Sequence, residues 1–273
     1  MENIFNMRKI IHFPLNSETF SHQFGIKALD KDEPIITRTE DYQKEIEMKR
    51  ILLSEHPTYY SHSMPEGSKS EVETSTLLTG TSNSLLKTAK EIQEDLVILG
   101  GDASSGHPII AGVVCFPNGW TINEKIGMGI DQIHDPVPEY AEVMSTAVNK
   151  LLKNLRPGRT FWRTNWAIRP TNLLDQSPRM KPLVEEAESR LNHENVSENC
   201  FFRVEYQTLT RLSGSGDILF TILTDQLPVI RLEELQQSNL LGVLKSCPKK
   251  TIKYKGISNF YDLLIKDLEK RTR

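Results

Sequence analysis

The run Glu124-Lys125-Ile126-Gly127-Met128-Gly129-Ile130-Asp131-Gln132-Ile133-His134-Asp135-Pro136-Val137-Pro138 sets a histidine among conformationally restricted residues. Asp135 precedes a proline, which biases it out of the helical region, and Pro138 fixes the chain again. His134 is therefore expected on a stiff loop. A metal ligand gains from such a position, because little freedom remains to be lost on coordination. A histidine satisfied by hydrogen bonds at a turn explains the same spacing, and on spacing alone it is the simpler account.

Two other stretches carry polar chemistry on strand-like patterns. In Phe161-Trp162-Arg163-Thr164-Asn165-Trp166-Ala167-Ile168, alternation puts Arg163 and Asn165 on one face with Phe161 and Ala167, and the two tryptophans on the other. An arginine between aromatics can fork onto a carboxylate or simply cover apolar surface. In residues 202–212 the same alternation groups Glu205, Gln207, Leu209 and Arg211, opposite Val204, Tyr206, Thr208, Thr210 and Leu212. Facing inward, that polar set must be paired or line a cavity. Facing outward, it is an ordinary wet face.

Other chemistries find less support. The seven histidines are scattered, and no Ser-His-Asp or Cys-His set assembles around them. A site built from His107, His134 and the acids near Glu94-Asp95 has no diagnostic ligand spacing. The loop Gly100-Gly101-Asp102-Ala103-Ser104-Ser105-Gly106 lacks the Gly-Lys-Ser/Thr ending of a phosphate loop.

The elements that must position these residues are legible in outline. Tyr42, Ile46, Met48, Ile51, Leu52 and Leu53 recur at helical spacing, predicting a helix over residues 40–55. Residues 56–79 carry few apolar side chains and read as a mobile connection. A helix is expected over 84–93, then a hairpin of strands 95–99 and 109–116. The clearest helix spans 139–155, with an apolar stripe through Val143, Met144, Ala147, Val148, Leu151 and Leu152 between Pro138 and Pro157. A strand over 160–168 follows, then a hairpin of 201–212 and 217–224 across Ser213-Gly214-Ser215-Gly216. Helices over 233–246 and 258–271 close the chain. Antiparallel strands with helices grouped around them make an α+β fold.

Composition narrows the class. With 273 residues, 38% hydrophobic and 25% charged, the chain suits a packed globule. Three widely spaced cysteines suggest neither a disulfide framework nor a zinc site, but a reducing compartment. No apolar run approaches a membrane span, the first residues do not look like a secretory signal, and a net charge of −3 with no basic tract disfavours nucleic acid. A cytoplasmic location is the expectation.

Several ordered motifs together resemble the haem-dependent oxidative N-demethylase family. They are Gln93-Glu94-Asp95-Leu96, Val114-Cys115-Phe116-Pro117-Asn118-Gly119-Trp120, Glu124-Lys125-Ile126-Gly127, Ile133-His134-Asp135-Pro136-Val137-Pro138, Trp162-Arg163-Thr164-Asn165-Trp166 and Phe202-Arg203-Val204-Glu205-Tyr206-Gln207-Thr208-Leu209. Gly25-Ile26-Lys27-Ala28-Leu29-Asp30 and Arg50-Ile51-Leu52-Leu53 fit its N-terminal part. The resemblance implies one haem-binding domain over residues 1–273, with a PAS-like antiparallel sheet, an N-terminal helical extension and C-terminal helices. It implies haem b with His134 as iron ligand and Arg163, Lys125 and Arg211 as further cofactor contacts. It implies O₂-dependent demethylation of a secondary amine such as dimethylamine, releasing formaldehyde, with electrons from a separate flavin reductase. Glu205 would then attract the alkylammonium, and Gln207 or Thr208 would bond bound oxygen. Self-association into a homo-oligomer is compatible with this, and a non-catalytic haem-PAS gas sensor is the alternative function. The chain departs from the family pattern at Met128 and Tyr206, where basic residues are expected.

Overall fold

Long strands with β-branched and aromatic residues on both faces organise the molecule, seen in a computed structural model that describes residues 9–22 and 25–272. Seven strands form one antiparallel sheet: β1 (Lys27–Ala28), β2 (Ser61–Ser63), β3 (Asp95–Leu99), β4 (Ile109–Val113), β5 (Thr160–Arg169), β6 (Phe201–Arg211) and β7 (Ile218–Pro228). Their order across the sheet is β1-β5-β6-β7-β3-β4-β2. With helices packed around it, the fold is α+β, as expected. β6 and β7 pair from Phe201↔Pro228 to Arg211↔Ile218, and β5 pairs with β6 from Arg169↔Phe201 to Thr160↔Thr210. The β6–β7 turn needs glycine at Gly216, which takes a φ of +81°. A side chain at Gly101 would strike the Gly216 carbonyl, so glycine is needed there too.

Period-two alternation divides the core between the two faces of the sheet. Leu96 and Ile98 of β3 pack with Leu53, Tyr60, Leu85, Ala89 and Ile92. On the same side, Phe202 and Val204 of β6 pack with Leu240, Leu244, Leu264 and Leu268 of the closing helices Glu234–Ser246 and Tyr261–Arg271. Val97 and Leu99 point the other way and join Ile130, Val148, Leu152 and Leu209. Between these last groups lies the cavity described below.

Three segments differ from the sequence expectation. Residues 56–79 form a helix at Pro57–Tyr60, strand β2 and a second helix at Ser68–Thr79 rather than a mobile connection. Hydrogen bonds replace the missing apolar stripe there. Ser70 donates to Asp217 (2.5 Å), Glu71 accepts from the Leu85 amide (2.9 Å), and Glu73 accepts from the Gly214 and Ser215 amides (2.6 and 2.8 Å). The helix expected over 84–93 covers only Leu85–Thr88, although Ala89 and Ile92 are buried as anticipated. The clearest predicted helix starts with a wide π turn, Tyr140–Met144, before the regular Ser145–Asn154. Glu139 ahead of it sits at a φ of +62°, pairs with Lys250 and lies 3.1 Å from the His22 ring, so tertiary contacts hold this irregular start. Among the described residues no helix is long and apolar enough to cross a membrane.

Candidate functional site

A cavity of about 610 Å³ lies between the sheet face bearing Val97, Leu209, Phe220 and Ile222 and the segment running from Trp120 to Leu152. Its volume falls in the range of small-molecule and cofactor pockets, roughly 300–1,000 Å³. Ile130, Ile133, Val137, Met144, Val148 and Leu152 give the second wall its apolar character. Polar groups converge along β5 and β6, where Arg163 lies opposite Gln207 and Asn165 opposite Glu205.

His134 lines this cavity, though not from a loop: it is the last residue of the short helix Ile130–His134. Gln132 accepts from the Gly129 amide (2.9 Å) and closes the start of that helix. The His134 Nδ1 lies 2.8 Å from the Ile130 carbonyl oxygen. A carbonyl only accepts, so Nδ1 carries the proton and Nε2 keeps its lone pair. The Tyr140 ring stacks on the imidazole, with centroids 4.7 Å apart and planes 13° from parallel. Burial holds the His134 pKa below its ordinary value, opposed by the Ile130 carbonyl and assisted by the nearby Arg163 charge. The neutral ring that results is the form that ligates metals.

The remaining predicted residues separate into two groups. Arg163, Lys125, Glu205 and Gln207 all line the cavity with His134. The Glu205 Oε2 accepts from Gln207 Nε2 (3.0 Å) and Asn165 Nδ2 (3.3 Å). Burial draws the Arg163 pKa down, while Glu205 and Tyr140 draw it back up. Thr208 stands apart. It points to the opposite face, is fully buried, and pairs with the Thr221 hydroxyl at 2.7 Å. Strand alternation alone separates it from Glu205 and Gln207, so it does not reach anything in the cavity. Arg211 shares their face but lies beyond the cavity, near the strand end. Its guanidinium donates to the Leu152 and Leu155 carbonyls (2.7 and 2.6 Å) and to Gly216. It thus caps the helix Ser145–Asn154 and ties down the hairpin, and it does not line the cavity. His107 lies in the β3–β4 loop with Nδ1 on the Gly100 carbonyl (2.8 Å) and does not join His134. Neither Met128 nor Tyr206 lines the cavity; Tyr206 stacks on His12 at 4.0 Å.

Sequence reasoning missed Arg169 and Lys255, both in the cavity wall. Arg169 shares the parity of Arg163 and Asn165, but the predicted strand stopped one residue short of it. Lys255 follows a helix, Lys249–Tyr254, whose pattern was not recognised. Its Nζ donates to the Trp166 carbonyl (2.8 Å) and lies 4.0 Å over the Trp166 ring. Burial pushes the Lys255 pKa down to about 8, opposed chiefly by Cys247 and Glu205.

Apolar walls, one imidazole with a free Nε2 and basic side chains suit a haem, which brings its own equatorial nitrogens and two carboxylates. Among the described residues no group of three or more His, Cys, Asp or Glu side chains could hold a metal ion. A haem can be held by a single protein imidazole, because the macrocycle supplies the other nitrogens. A family model described as haem-dependent oxidative N-demethylase, alpha subunit-like, matches residues 48–265. The order of motifs, the antiparallel sheet and this match agree, and the chain belongs to the haem-dependent oxidative N-demethylase alpha subunit-like family.

Proposed function

We propose that this chain is a haem-dependent oxidoreductase that removes a methyl group from a small secondary alkylamine of the dimethylamine type, with haem b bound through His134. The observation that carries the reading is the His134 imidazole, set in the wall of an apolar cavity with Nδ1 committed to the Ile130 carbonyl. That bond fixes the ring orientation and makes Nε2 a better donor. Tyr140 stacking restricts rotation of the same ring.

When bound, the haem would supply the oxidation: a secondary methylamine, O₂, two electrons and two protons give a primary amine, formaldehyde and water. A separate flavin reductase would deliver the electrons. The chain's own contribution is positioning and electrostatics. Arg163 and Lys125, which share the cavity wall with His134, would receive the haem propionates. Arg163 has the planar fork that matches a carboxylate. Glu205 offers a negative charge to an alkylammonium, and the Gln207 and Asn165 amides orient it by donating to Oε2. Valine, leucine and isoleucine side chains on both walls exclude water and strengthen that attraction.

The test is amine-dependent turnover. Purified protein with haem bound, supplied with a reductant, O₂ and dimethylamine, should release formaldehyde in proportion to amine consumed. A haem-loaded protein that releases none with any small secondary amine would be a gas-binding module, and the enzymatic reading would fall.

A further inference from the structure

Lys49 and Lys255 are both withdrawn from water, but their amines are held differently. Lys49 donates to three carbonyls and lies beside Asp95, so every proton of its ammonium has an acceptor. Lys255 lines the cavity, and its Nζ has one acceptor, the Trp166 carbonyl at 2.8 Å. The Trp166 ring covers a second side of the amine, 4.0 Å away. Among the described residues no carboxylate lies within ion-pair distance of this Nζ. Carbonyl and indole therefore fix the amine in the cavity wall without tying up its remaining protons. A lysine desolvated in this way is the form that attacks carbonyl carbon. Burial brings its pKa to about 8, so at pH 7 about one molecule in ten carries the neutral amine, against about one in 2,500 for an ordinary lysine.

His134 lines the same cavity, so demethylation there would set an aldehyde free beside this amine. We propose that Lys255 is an aldehyde-capturing residue, its Nζ condensing reversibly with the formaldehyde released in the cavity. The source of the aldehyde rests on the demethylase reading; the reactivity of the amine does not. In the first step the Nζ lone pair forms a bond to the carbonyl carbon, and the π pair moves to oxygen, which takes up a proton. The carbinolamine then loses water as the nitrogen pair closes a C=N bond. The sum is lysine ammonium and formaldehyde giving lysine iminium and water, with no oxidant or reductant consumed. One positive charge is present before and after, and the Trp166 ring faces it in both forms. Hydrolysis reverses the step and returns the aldehyde.

The experiment is a brief pulse of limiting ¹³C-formaldehyde on the purified full chain at pH 7, quenched with borohydride. Borohydride converts the adduct to N-methyllysine, which peptide mass mapping locates. Lys255 should carry at least about tenfold more label than Lys249 and Lys253, the exposed lysines of the preceding helix. Lys255→Arg keeps the charge without the amine, and the preferred site should vanish from its map. Turnover of ¹³C-dimethylamine with reductant and O₂, quenched in the same way, should label Lys255 with the same preference. Label on Lys255 equal to or below that on Lys249 and Lys253 in the pulse overturns the proposal, and this comparison needs only the parent protein. Turnover that releases formaldehyde yet shows no preference for Lys255 overturns it as well. If turnover releases no formaldehyde, the demethylase reading falls instead, and the pulse alone decides aldehyde capture by the same tenfold criterion.

Discussion

Lys49→Met is expected to remove one of the main struts behind the cavity. The Lys49 side chain is 0% exposed, and its Nζ donates to the carbonyls of Ile92, Gln93 and Glu94 at 3.0, 3.3 and 2.6 Å. It also lies 3.4 Å from Asp95, itself 1% exposed. Asp95 in turn accepts from the Cys115 and Phe116 amides at 2.9 and 2.8 Å, fixing the chain that leads into the cavity edge at Pro117 and Asn118. Methionine fills the space but leaves three carbonyls without this donor and a buried carboxylate without its cation. Breaking one partner of a buried pair costs about 3–5 kcal/mol. At roughly 2–4 °C per kcal/mol for a chain of this size, the melting temperature should fall on the order of 10 °C at pH 7. The pH dependence sharpens the test. Burial already raises the Asp95 pKa and Lys49 lowers it, so the variant raises it further. A carboxyl raised in the folded state is favourable below its unfolded pKa and loses that benefit as pH rises through the folded value. The deficit of the variant should therefore shrink at pH 5 relative to pH 7. A loss below about 1 kcal/mol, or one independent of pH, would show that Lys49 does not balance Asp95.

Other variants probe separate parts of the account. Arg163→Lys keeps the charge but loses the planar fork, so haem retention measured against a competing apo-globin should weaken several-fold; unchanged retention in both Arg163→Lys and Arg163→Ala would remove this residue from the propionates. Glu205→Gln should raise the apparent KM for the amine with haem content unchanged, and amine binding equal to the parent's in a Soret titration would end the anchoring role. Burial raises the Glu94 pKa to about 7, against the Thr37 amide and Lys49. Stability from that group is present below the ordinary carboxyl value of 4.5 and lost as pH rises through about 7. Glu94→Gln should accordingly stabilise at pH 8 by roughly 3 kcal/mol and not at pH 4; chemical denaturation showing equal effects at both pH values would contradict the shift.

Local pattern revealed the sheet because each long strand states its own faces. The alternation that groups Glu205 with Gln207, and Arg163 with Asn165, is the alternation found in β5 and β6. That same rule should have kept Thr208 out of the site, since it falls one residue out of phase. Polar helices were harder to see: Ser68–Thr79 buries Ser70, Glu71, Thr74 and Ser75, not an apolar stripe, and its partners lie far along the chain. Arg211 could not be separated from the cavity residues by parity, because its position relative to the C-terminus of helix Ser145–Asn154 is set by tertiary packing. Arg169 was within reach of the alternation and was missed only because the predicted strand ended at residue 168, whereas Lys255 required the packing of the closing segment against β5, which no local pattern encodes.

The most direct measurement is the absorption spectrum of the purified protein beside that of His134→Ala. Imidazole Nε2 is the one nitrogen that the Ile130 hydrogen bond leaves available, and alanine cannot coordinate iron. The parent protein should show a Soret band with stoichiometric haem, and His134→Ala should lose most of it or shift it strongly. His56→Ala and His193→Ala, outside the cavity, should match the parent. A His134→Ala spectrum with the parent's Soret and Q bands would contradict the assignment of His134 as the iron ligand.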